Sequence, residues 1–162
     1  MPRQNTRLEA EGAEFLVLGH LRVEGLQAYK MYTNMPGYDV LVVNPEANRI
    51  ARVSVKSRWK ASANGFIINN FDSDFVVVAQ LNRGTAELRS PQYFIIPTGA
   101  LASLSPSGWG KLNFSAIPNF QSYMNAWHRI RDFIGAASLA ERGVSVRSGD
   151  GRTRGAHRRS SS

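Results

Sequence analysis

Apolar positions first recur along this chain at helical spacing. From Thr6 to Arg22, the residues Leu8, Phe15, Leu16, Leu18 and Leu21, with alanines between them, follow the period of a helix. Thr6 and Glu9 have the spacing of a capping box, and Gly25 is a stop signal. The pattern then shortens to that of strands. A first strand is predicted near Ala28 to Thr33, followed by a turn at NMPGY in which Pro36 and Gly37 hold typical turn positions. Val40 to Asn44 is an unbroken apolar run of strand length, and NPEAN is a second turn. Arg49 to Arg58 alternates, so that Ile50, Arg52, Ser54 and Lys56 share one face. These three strands read as an antiparallel meander.

Phe75 to Leu81 and Tyr93 to Ile96 are further strands, apolar enough to be covered on both faces. The link before them, SRWKASANGFIINNFDSD, contains Gly65 and has little helical periodicity, so any helix there must be short. Asn119 to Gly135, just after Pro118, spaces Phe120, Tyr123, Met124, Trp127, Ile130, Arg131 and Ile134 near helical intervals, and Phe120, Tyr123 and Trp127 read as packing against the sheet. The predicted fold class is α/β, with a mixed β-sheet flanked by an N-terminal and a C-terminal helix. The predicted division is a domain over residues 1–137 and a disordered tail over 138–162, where Gly, Ser and Arg dominate and large apolar residues nearly vanish.

Charge changes this picture less than its total suggests. The formal net charge is +8, yet residues 142–162 hold Arg142, Arg147, Arg152, Arg154, Arg158 and Arg159 against the single acid Asp150. Residues 1–141 therefore carry 14 basic and 11 acidic side chains, close to balance. The tail arginines suit nonspecific contact with phosphates, or simply keep the chain soluble. The absence of cysteine excludes disulfides, thiolate metal sites and a cysteine nucleophile. The charged N-terminus and the lack of a long apolar run lead us to expect a cytoplasmic protein without a membrane span. His20, His128 and His157 have no zinc-site spacing, and Gly108-Trp109-Gly110-Lys111 lacks the pattern of a phosphate-binding loop.

The stretch that carries chemistry is Pro36-Gly37-Tyr38-Asp39, fourteen intervening residues, then Ser54-Val55-Lys56, preceded by a helix holding Glu14. Antiparallel pairing can bring Asp39, Ser54 and Lys56 together. Phosphodiester hydrolysis by a bound divalent ion needs hard oxygen ligands, a polarised water and a cation near the developing charge. Each residue also has a plainer reading: Asp39 as a turn cap, Lys56 as half of a structural ion pair with Asp39, Glu14 as a solvated helix position.

This order, a helix with Glu, an Asp opening one strand, and a strand ending in X-V-K, resembles the core of the PD-(D/E)XK nucleases, including their Holliday-junction-resolvase and restriction-endonuclease branches. The resemblance covers roughly Thr6 to Pro97 and rests on GAEFLVLGHL, YDVLVVN and RVSVKSR. It implies a restriction-endonuclease-like core acting on DNA with Mg2+ or Mn2+. In it Asp39 and the Val55 carbonyl would be metal ligands, Lys56 would position or activate the attacking water, and Glu14 would support the site. It also points to a homodimer, since two sites are often needed to cut two strands.

At Ser54 the sequence departs from the family, which usually has Glu or Asp there and in some branches Gln. A neutral hydroxyl is a poorer magnesium ligand than a carboxylate, so Glu14, Asp72 or Asp74 would have to compensate, with Ser54 itself a further ligand. If none does, the alternative is a catalytically inactive nucleic-acid-binding or assembly module on the same fold. Arg49, Arg52, Arg58, Trp59 and Lys60 form the expected nucleic-acid-binding group: cations for phosphates and an indole for a base. Edge-strand protection is the competing use of those charges.

Overall fold

The computed structural model describes residues 5–32, 37–104 and 110–138, beginning with helix α1 (Thr6–Val23). Its N-cap is Asn5, one residue before the predicted cap. Asn5 has extended dihedrals, and its side chain accepts the Arg7 and Leu8 N–H groups at 3.1 and 3.3 Å, which leaves Thr6 inside the first turn. The helix stops where expected. Gly25 takes φ +79°, and Gly25 N–H donates to the Arg22 carbonyl and Leu26 N–H to the Leu21 carbonyl, a Schellman closure.

Strands β1 (Gln27–Lys30), β2 (Val40–Asn44) and β3 (Arg49–Lys60) form the predicted antiparallel meander. Residues 33–36 of the first turn lie outside the described residues. The link after β3 holds a strand, β4 (Gly65–Ile68), and no helix. Strand β5 (Phe75–Arg83) then lies parallel to β3, and β6 (Gln92–Pro97) runs antiparallel to β5, giving a mixed five-stranded sheet of order β1-β2-β3-β5-β6. The short helix α2 (Thr98–Ala102) follows, and β7 (Gly110–Asn113) pairs with β4 in a separate ribbon.

The two faces of the sheet are buried by different means. On one, Val42, Val53, Val77 and Ile95 meet Ala13, Val17 and Leu21 of α1. On the other, Val76, Val78, Phe94 and Ile96 meet Phe66, Ile68 and Leu112 of the ribbon and Leu101 of α2. The ribbon thus fills the place a crossover helix would take. Both faces of β5 are covered, which is why its sequence is an unbroken apolar run.

The helix expected over Asn119 to Gly135 does not form as one piece. A 3-10 turn covers Phe120–Tyr123, the chain opens, and α3 spans only His128–Phe133. Asn119 and Asn125 both adopt left-handed dihedrals, and between them Met124 bridges Phe94 while Asn125 N–H donates to the Tyr93 carbonyl at 2.8 Å. The packing explains the break. Tyr93 and Phe94 are consecutive on β6 and point to opposite faces; Phe120 stacks on Phe94 and Trp127 packs on Tyr93. The aromatic stripe does pack on the sheet, but the chain must pass around its edge to reach both faces. The predicted tail, apart from Ser138, lies outside the described residues.

Candidate active site

Val40 pairs with Val53, and Asp39 stands one residue before the strand. The Asp39 N–H donates to the Val53 carbonyl and the Met31 N–H donates to the Asp39 carbonyl, both at 2.9 Å, so its backbone ties β1 to β3. Its side chain then takes over from the backbone: Oδ2 accepts the Val55 N–H at 2.7 Å. The pairing of β2 with β3 ends at Val40 and Val53, and β3 continues beyond it. The Val55 carbonyl leaves the strand on the same edge as its N–H, the edge on which Asp39 lies.

Ser54 and Lys56 alternate onto the face of Val76 and Val78. Ser54 is buried, at 9% exposure, and Lys56 is half-buried. Lys56 makes no ion pair or side-chain hydrogen bond among the described residues. The ion pair with Asp39 that would give this lysine a structural purpose is absent.

Glu14 reaches the same end of the sheet from α1. Its Oε2 lies 2.6 Å from Nζ of Lys30, and Lys30 pairs with Val40, the residue after Asp39. The hydrogen bond to Glu14 raises the Lys30 pKa above its ordinary value, against the opposing effect of burial. The rings of Phe15 and Tyr32 lie 5.3 and 4.7 Å from the ammonium. Sequence reasoning missed Lys30. A lysine closing a short strand, with tyrosines on both sides, was the signal available, but its meaning depends on α1 lying over β1.

The acids considered as substitutes at Ser54 are placed differently. Asp74 is committed to Arg52: Oδ2 accepts the Arg52 backbone N–H and Nε at 2.8 and 3.1 Å, and Oδ1 accepts Nη2 at 3.2 Å. That bond to Asp74 raises the Arg52 pKa. Asp72 is exposed and packs against Gly37, two residues before Asp39, where a Cβ on Gly37 would come within 2.6 Å of the Asp72 Cβ. Among the described residues, no group of three or more His, Cys, Asp or Glu side chains could hold a metal.

The expected nucleic-acid-binding residues do not form one patch. Arg49 and Arg58 lie nine residues apart on β3, about 30 Å in extended chain. Arg52 faces Asp74. Arg58, Trp59 and Lys60 at the far end line a groove of about 580 Å³ with Ser57, Ser62 and Asn64. No described helix is long and apolar enough to cross a membrane.

Neither a protein-family model nor a curated protein matches the sequence. Among solved structures, that of a bacterial homing endonuclease is similar, with a TM-score of 0.53 and 20% identity over 87% of this chain and 99% of the other. At that identity the likeness is one of fold.

Proposed function

We propose that this protein is a divalent-metal-dependent DNA endonuclease of the PD-(D/E)XK kind. The observation that carries the reading is the Asp39 carboxylate accepting the Val55 N–H at 2.7 Å, next in sequence to Lys56, which has no ion-pair partner among the described residues. The fold likeness to a bacterial homing endonuclease supports it.

Few protein oxygens converge among the described residues, so a magnesium or manganese ion here would have to be completed by water and phosphate. Asp39 Oδ1 and the Val55 carbonyl would hold the ion, with the Ser54 hydroxyl as a weaker third donor. When bound, such an ion supplies Lewis-acid polarisation of the scissile phosphate and lowers the pKa of a coordinated water. Lys56 would orient that water and offset the charge that develops on the phosphate. Glu14, held by Lys30, would support the site from the helix side. Arg58, Trp59 and Lys60 would hold the nucleic-acid backbone, with Arg49 a separate contact, and DNA is the proposed substrate.

A second reading is favoured by one observation, the serine at position 54. With Glu14 neutralised by Lys30 and Asp74 by Arg52, the loss of that carboxylate leaves little negative charge for a cation, and the fold would then serve as a binding or assembly module.

Incubation of the full chain with a mixed panel of duplex, junction and single-stranded DNA separates the two. An endonuclease cuts with Mg2+ or Mn2+, stops with EDTA, and loses activity on Asp39→Ala or Lys56→Ala with the fold intact. DNA retention without cutting at any metal concentration would establish the binding module.

A further inference from the structure

The outward face of α1 is apolar, and none of the chain's own described elements covers it. Leu8, Phe15, Leu16 and Val23 are 66%, 47%, 43% and 80% exposed. At 100° per residue they fall with Gly12 and Gly19 in a single stripe, opposite the buried Ala13, Val17 and Leu21. Both glycines have open space where a Cβ would stand. Glycine weakens a helix interior, and nothing among the described residues requires it at either position. Beside the stripe, Leu8, Gly12 and Leu16 continue into an apolar groove of about 540 Å³ walled by Trp59, Leu81 and Pro91.

The stripe is self-complementary when turned end for end about its centre between Phe15 and Leu16. Leu8 then meets Val23, Gly12 meets Gly19, and Phe15 meets Leu16. The flanks carry the discriminating charge. Glu11 and Arg22 border one side, Glu9 and His20 the other, so acids occupy the first half of the helix and basic residues the second. In an antiparallel pair, like flanks adjoin, so that Glu11 meets the partner's Arg22. A parallel pair would instead set Glu11 beside the partner's Glu9. Antiparallel dipoles favour the same arrangement, and the Arg22 guanidinium is already fixed at the rim by its Nε bond to the Ala28 carbonyl at 2.9 Å.

We infer that α1 is the contact helix of a twofold-symmetric homodimer, packing antiparallel against α1 of a second copy with the glycines at the closest approach. An isologous contact of this kind closes on itself and does not propagate. The inference is independent of the nuclease reading, because none of the stripe residues takes part in the proposed site.

The test is sedimentation equilibrium of the full chain across micromolar concentrations, beside the variant Gly12→Gln, Gly19→Gln. Both sites are open and glutamine is a better helix former, so the variant should fold with an unchanged or raised Tm. We expect a dimer for the natural chain and a dissociation constant raised by at least about tenfold in the variant. Orientation is read by oxidation of single-cysteine variants, since the chain has no cysteine of its own. Leu16→Cys lies near the twofold and should cross-link, whereas two copies of Leu8→Cys would stand about 22 Å apart, beyond disulfide reach. A natural chain that stays monomeric, a glutamine variant that dimerises as well as the natural chain, or cross-linking of Leu8→Cys as fast as Leu16→Cys would each overturn the proposal.

Discussion

Glu14 and Lys30 join helix α1 to strand β1 through a contact of 2.6 Å, with their side chains only 19% and 8% exposed. The pair fixes an acid at the end of the sheet where Val40, the residue after Asp39, begins β2. Removing one partner would strand the other charge in a poorly hydrated place. We expect Lys30→Met to lower stability by about 3 kcal/mol, the low end for a broken buried pair because water still reaches Glu14. Urea unfolding measures this.

The same pair sets a dependence on alkaline pH. The folded-state pKa of Lys30 is raised above 10.5, so its contribution to stability is complete below that value and is lost as pH rises through the folded pKa. The stability difference between the natural chain and Lys30→Met should be constant from neutral pH to about pH 10 and shrink above it. A difference that grew with alkaline pH would contradict the assignment.

Asp39 has a structural duty as well as its proposed chemical one, and two substitutions separate them. Asp39→Ala leaves the Val55 N–H without its 2.7 Å acceptor, a loss of about 1–3 kcal/mol. Asp39→Asn keeps a neutral acceptor and should recover most of that stability. If Asp39 is a metal ligand, both variants should fail to bind Mn2+ by calorimetry, whatever their stability.

Ser54 is where the charge of the proposed metal site is decided. Ser54→Asp adds a carboxylate beside Asp39 and Val55, and Mn2+ affinity should rise at least about tenfold if those oxygens share an ion. Calorimetry reads the affinity and the DNA panel reads whether cutting follows. Because Ser54 is buried, the variant should be less stable without metal, and added Mn2+ should restore its Tm.

The basic residues of β3 should separate by their partners. Arg58→Ala and Lys60→Ala should each reduce the salt slope of DNA binding by about one if each meets a phosphate. Arg52→Ala should leave the slope nearly unchanged and act on stability, because its guanidinium is already held by Asp74. Equal loss of slope in all three would show that Asp74 releases Arg52 to the nucleic acid.

Much of this molecule is local, and what is local was legible in the sequence. The meander over β1, β2 and β3, the apolar runs of β5 and β6, the stop at Gly25 and the shared face of Ser54 and Lys56 follow from periods of 2.0 and 3.6 and from turn chemistry that neighbouring residues impose on each other. Asp39, Ser54 and Lys56 could be grouped in advance for the same reason, since strand register is a local consequence of a short turn, whereas the Val55 carbonyl entered only through the family resemblance. Tertiary structure alone decided the rest. Phe120 and Trp127 had helical spacing, yet they pack on opposite faces of β6, and burying both outweighed helix continuity. The link after β3 became β4 because Gly65 admits the close backbone of Leu112, which lies far along the chain. The state of each charge was decided in the same way: Lys30 neutralises Glu14, Arg52 holds Asp74, and Lys56 has no partner among the described residues, because ion pairing depends on distances that only the folded chain sets.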